Sequence, residues 1–189
     1  GDMAPSHFIN GFTAQFPDIN IDSNDTLTIV LNYEYSEYYG EKFLPDFVMF
    51  PDQENSLIET EEGSFGEISS DTDGDPETTD DIHPIAKLND ATELLILFYW
   101  DGALSNSIQD VDYFLWGNNQ NAIDKSDVPG YQSDTSANDQ LHFETVAGQD
   151  YAYSRIGTDE IDETQTGGNG ITDNNETSEN FRKSWDIIE

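Results

Sequence analysis

Between Asp71 and Asp81 the chain reads DTDGDPETTDD, which gathers Asp71, Asp73, Asp75, Asp80 and Asp81 into one short stretch. Alternating aspartates on a turn aim several hard oxygens at one point, and calcium takes about six to eight such ligands. The EF-hand pattern is not met: Gly74 is one place off register, and no Glu closes the loop at its twelfth position. The stretch therefore reads either as a generic Asp-rich calcium loop or as a solvated acidic loop. Calcium is the one cofactor these residues suggest.

Other candidate chemistry is thinner. Asp101, Asp110 and Asp112 flank an expected turn and read as turn caps and edge solvation, with a second cation site as the alternative. Forty acidic residues put carboxylate pairs everywhere, so a pair by itself carries no information about glycoside hydrolysis. His7, His83 and His142 stand far apart without zinc-site spacing. No G-x-S-x-G or Walker pattern occurs. Gly167-Gly168-Asn169-Gly170 lacks the following Lys and reads as a turn. Tyr33, Tyr35, Tyr38 and Tyr39, with Trp100 and Trp116, either form an exposed aromatic patch for a protein or carbohydrate ligand or pack alternate members inward. No enzyme is expected.

Charge narrows the partners. Forty Asp and Glu against six Lys and Arg leave a formal net charge of -34. Such a field repels nucleic-acid phosphates and anionic lipid surfaces alike. No stretch approaches the roughly 20 apolar residues that span a bilayer, so no membrane insertion is expected. The field also repels itself, and salt or bound cations relieve that repulsion. Molar NaCl is expected to raise the melting temperature by several degrees, and calcium at matched ionic strength to raise it further. A transition indifferent to salt would remove the self-repulsion argument, and equal melting in calcium and in EDTA would count against the Asp71–Asp81 site. The lack of Cys excludes disulfides and thiolate chemistry.

The elements that must position these residues centre on Glu93–Gly117. Leu94 to Trp100 is an uncharged apolar run, expected as a strand buried on both faces. Asp101-Gly102 turns it back, and Val111, Tyr113 and Leu115 then alternate with Asp110, Asp112, Phe114 and Trp116 in a second, antiparallel strand ending at Gly117. Further strands are expected in Phe8–Phe16, Leu27–Leu31, Phe43–Phe50, Ser56–Thr60, Leu141–Val146 and Tyr151–Ile156. Short helical turns are expected at Tyr33–Gly40 and Ala122–Val128, and Asn89-Asp90 as the turn into the central strand. Phe181–Ile188 should seal the core. This pattern implies an all-β sandwich, with one domain over residues 1–189, an acidic excursion over 51–81 and an acidic Gly-rich loop over 158–175.

Several of these stretches resemble the lamin tail domain family, an immunoglobulin-like β-sandwich found in bacterial exported proteins. The resemblance rests on Thr26–Val30 with Tyr38-Tyr39-Gly40, then Leu88-Asn89-Asp90, Glu93–Phe98, Asp101-Gly102 and Asp110–Tyr113. Trp116-Gly117, Asp124-Lys125, Ser154-Arg155, Gly167–Gly170 and Glu176–Asn180 extend it. Only Ile9-Asn10 hints at the family's opening strand, its second strand is missing, and the 51–81 excursion is longer than the family's loop. The resemblance implies a non-enzymatic recognition or structural module, extracellular, periplasmic or on the cell surface. It also implies a sheet edge that another copy of the chain could complete. The alternative is a hydrolase or its carbohydrate-binding accessory domain.

Overall fold

The computed structural model describes residues 12–31, 44–50, 54–60, 64–70, 80–84, 86–103, 108–128, 131, 134–157, 159, 161–165, 170–171 and 175–189, with the backbone alone for 66–70 and 80–84. The expected helical turn at Tyr33–Gly40 and the first residues of the Phe8–Phe16 strand lie outside them. The described residues form mainly short strands, and none of their helices is long and apolar enough to cross a membrane. Contacts divide the chain into two compact units, Gly1–Leu88 and Asn89–Glu189.

The described residues of the first unit form three strand pairs. β1 (Ala14–Gln15) pairs antiparallel with β4 (Ile58–Glu59), and β2 (Ile29–Val30) pairs parallel with β3 (Phe47–Val48). β5 (Gly66–Ser70) pairs antiparallel with β6 (Asp80–Pro84). Successive strand residues point to opposite faces, and the sequence uses both. Phe47 and Met49 join Leu57, Phe65 and Ala86 in one cluster, with Leu27, Ile29 and Leu31 packed against it, while Val30, Val48 and Phe50 form another. Glu59 ties the following turn by accepting the Phe65 N–H at 2.6 Å.

The second unit carries the expected hairpin. β7 (Glu93–Tyr99) runs antiparallel to β8 (Gln109–Trp116) with a bulge: Leu97 faces Asp112 and Phe98 faces Asp110, leaving Val111 as the extra residue. Asn89 Oδ1 accepts the Ala91 N–H at 2.8 Å, so the turn into β7 forms where Asn89-Asp90 predicts it. Asp101 Oδ1 accepts the Ala103 N–H at 2.9 Å beside Gly102, whose φ of +81° needs glycine. β9 (Ala152–Arg155) pairs antiparallel with β10 (Trp185–Ile188), which a single helical turn, α1 (Phe181–Ser184), precedes.

Phe114 organises the core of this unit. Its ring stacks on Trp185 at 3.9 Å and on Trp116 at 5.4 Å, and meets Tyr153 and Phe181 edge-on at 5.2 and 6.0 Å. Phe181 is fully buried and also stacks on Tyr113. The closing segment seals the core as its apolar spacing predicts.

Three expectations are corrected. Strand β7 is buried on one face only: Leu94 is buried and Ile96 packs on the core, while Leu95 and Leu97 are each 44% exposed and Tyr99 54%. Among the described residues β7 pairs with β8 alone. An unbroken apolar run hides this, because no polar alternation marks the outer face. Leu141–Val146 is no strand; only Phe143 reaches β8, exchanging hydrogen bonds with Gly117 N and Leu115 O at 2.9 Å each. The helical turn expected at Ala122–Val128 comes earlier, as one 3-10 turn at Asn119–Asn121 that Asn118 caps through its side chain.

Gly117 closes β8 at φ +84°, and a Cβ there would lie 2.0 Å from the Ala91 carbonyl oxygen. Left-handed backbone costs a non-glycine residue about 1–2 kcal/mol, and overpacking adds about 1–3. Gly117→Ala should therefore lower the urea midpoint strongly. Gly102→Ala, with open space around it, should show the backbone cost alone.

Candidate functional site

The Asp-rich stretch does not supply a describable site. Asp71, Asp73 and Asp75 lie outside the described residues. Asp80 and Asp81 sit on β6, opposite Ser70 and Ser69 of β5. Among the described residues no group of three or more His, Cys, Asp or Glu is arranged to hold a metal.

Titratable groups converge elsewhere, at the turn-proximal end of β8. Lys125 lies 3.1 Å from Asp110 Oδ2 and 3.1 Å from Asp134 Oδ2. All three side chains are almost fully buried, Lys125 at 6% exposure, Asp110 at 4% and Asp134 at 5%. The Tyr131 hydroxyl donates to Asp110 Oδ1 at 2.8 Å. Lys125 Nζ stands 4.9 Å from the centre of the Tyr113 ring and 5.5 Å from that of Tyr131.

Local hydrogen bonds hold each member. Asp110 is fixed by its backbone, whose carbonyl accepts the Ile171 N–H at 2.8 Å. Asp134 accepts the Lys125 N–H at 2.7 Å on Oδ2 and the Thr135 N–H at 3.0 Å on Oδ1, where the Thr177 hydroxyl also donates. The Tyr113 hydroxyl donates to Gln140 Oε1 at 2.7 Å, and Gln140 Nε2 donates to the Ile123 and Thr135 carbonyls at 2.7 and 2.9 Å. Burial is the main cause that pushes both tyrosine hydroxyls far above their usual range; for Tyr131 the Asp110 carboxylate adds to it. Both remain protonated donors at any ordinary pH.

A second ion group lies along the same strand. Arg155 of β9 reaches Asp112 at 2.6 Å and the fully buried Glu179 at 3.6 Å. Burial raises the Asp112 pKa from its ordinary value, against the opposing pull of Arg155. Asn175, Glu176, Thr177, Ser178 and Glu179 are all buried. Asn175 starts that turn by accepting the Thr177 N–H at 3.1 Å.

Reading Asp110 and Asp112 as edge solvation is thus overturned: the chain's own Lys125 and Arg155 are the cations they hold. Asp101 does cap its turn. Of the aromatic patch, Trp116 is buried and Trp100 partly exposed, while Tyr33, Tyr35, Tyr38 and Tyr39 lie outside the described residues. Hydropathy missed Lys125, Tyr131, Asp134 and the buried Asn175–Glu179 turn. One signal was present: Lys125 is the lone lysine between Lys87 and Lys183 in a chain this acidic. No family model, curated protein or solved structure matches the chain.

Proposed function

We propose that this chain is a non-catalytic recognition or structural module, an immunoglobulin-like β-sandwich of the lamin tail kind, in an exported or cell-surface protein. The observation that carries the reading is the contrast between its two chemical surfaces. The side chains of Lys125, Asp110 and Asp134 are almost fully buried. The open outer face of β7 is instead apolar, through Leu95, Leu97 and Tyr99. Exposed apolar surface on a strand whose other edge is unpaired among the described residues suits an extended segment of another protein, added as a further strand. The aromatic faces of β8, β9 and β10 pressing together support the sandwich.

Selection from a displayed peptide library tests this. Extended peptides with alternating apolar residues should be enriched, and Leu95→Lys with Leu97→Lys should weaken them by about tenfold or more. Failure to enrich any peptide, or binding indifferent to those changes, would reject the reading. Carbohydrate binding is the second reading, favoured by the exposed rings of Phe98, Tyr99 and Trp100 at the end of β7. Retention on a polysaccharide matrix that Tyr99→Ala abolishes and Leu95→Lys spares would select it.

A further inference from the structure

The Lys125 cluster has the parts of a condensation site, and we propose that Lys125 and Asp110 join in an intramolecular amide bond. Three observations carry this. The amine nitrogen stands 3.1 Å from Asp110 Oδ2, so the fold already holds it beside the carboxyl carbon that carries that oxygen, as an intramolecular reaction requires. Among the described residues Nζ directs no hydrogen bond of ordinary geometry at either carboxylate, although both are in ion-pair range. The three side chains are almost fully buried, with aromatic rings beside the amine, which shields the reacting groups from bulk water.

Each neighbour has a role its hydrogen bonds allow. Lys125 Nζ gives one proton to Asp110 Oδ2, leaving a neutral amine beside a neutral acid. Nζ attacks Cγ of Asp110, and the carbonyl electron pair moves onto Oδ1, where the Tyr131 hydroxyl already donates at 2.8 Å. Asp134 Oδ2, 3.1 Å from the same nitrogen, accepts the second proton as the bond forms and returns it to Asp110 Oδ2, which leaves as water. One C–N bond forms and one C–O bond breaks; an ammonium and a carboxylate become an amide and a water, and no oxidant, reductant or co-reactant is needed. Asp134 is the relay because Thr135, Thr177 and the Lys125 backbone hold its two oxygens in place beside the amine. Asp110 is the better electrophile because Tyr131 polarises it.

Condensation removes two of the three buried charges, and the one that remains, on Asp134, keeps the hydrogen bonds from the Lys125 N–H, the Thr135 N–H and the Thr177 hydroxyl.

Intact-mass spectrometry of the purified, folded chain tests the proposal. The expected mass is that of the sequence less one water. After denaturation trypsin should fail to cut behind Lys125, and fragmentation should show a branched peptide joining residues 110 and 125. Asp110→Asn should still cross-link, now with loss of one ammonia, because a carboxamide offers the same carbon and a different leaving group. Asp134→Asn, shown to be folded by circular dichroism, should keep the full sequence mass. A folded wild-type chain at full mass, cut normally behind Lys125, would overturn the proposal whatever the variants do. A branch mapped to Asp134 would overturn the assigned roles.

Discussion

Phe114→Ala should destabilise the second unit by about 3–5 kcal/mol, the usual cost of emptying a buried aromatic site. Phe114 is 5% exposed and touches the rings of Trp116, Phe143, Tyr153, Phe181 and Trp185. Those neighbours come from β8, β9, β10, α1 and the segment around Phe143. The gap cannot close by a shift of one side chain, because its walls belong to separate parts of the backbone. All three tryptophans of the chain, Trp100, Trp116 and Trp185, lie within Asn89–Glu189. Urea unfolding followed by tryptophan fluorescence therefore reports this unit directly. A midpoint within a few tenths molar of the parent would mean that Phe114 is not central.

The second large effect concerns charge. Lys125→Met keeps an unbranched apolar stem against the Tyr113 and Tyr131 rings but leaves Asp110 and Asp134 facing each other with neither a cation nor the proposed amide between them. Breaking a buried pair by removing one partner costs about 3–5 kcal/mol. The loss is read as a fall in the midpoint of a urea titration at pH 7. Adding Asp110→Asn and Asp134→Asn to Lys125→Met should restore much of the stability, since the like charges are then gone. A Lys125→Met chain as stable as the parent at pH 7 would show that the trio is no structural keystone. The same titration with the triple variant separates lost attraction from stranded charge.

What the sequence makes legible follows from which physics leaves a pattern. The β7–β8 hairpin, the Asn89 and Asp101 turns and the stop at Gly117 show because alternation and turn chemistry are local. β9 and β10 show for the same reason. The open face of β7 does not, since Leu95 and Leu97 are the same residue type as Leu94, and packing on one face of the strand alone distinguishes them. The buried turn Asn175–Glu179 is also illegible to hydropathy. Its five residues are polar, and they enter the interior because Arg155, Asp134, Gln165 and Thr135 supply partners from distant positions. Polar satisfaction at long sequence separation writes no periodicity. Lys125 with Asp110 and Asp134, and Arg155 with Asp112 and Glu179, come together from positions far apart in the sequence.

The irregularity at Leu97 and Phe98 bears on how the molecule avoids fibre growth. Glu93–Tyr99 is a seven-residue segment of strong strand formers with a single charge, the composition that stacks into cross-β filaments when its edge is bare. The extra residue in β8 twists the ribbon midway, so a second copy laid flat along it would lose registry after about half its length. Mutual repulsion between chains of net charge -34 adds a longer-range guard. That guard vanishes near pH 4, close to the isoelectric point of about 4.1, and the kink is then left to hold the edge alone.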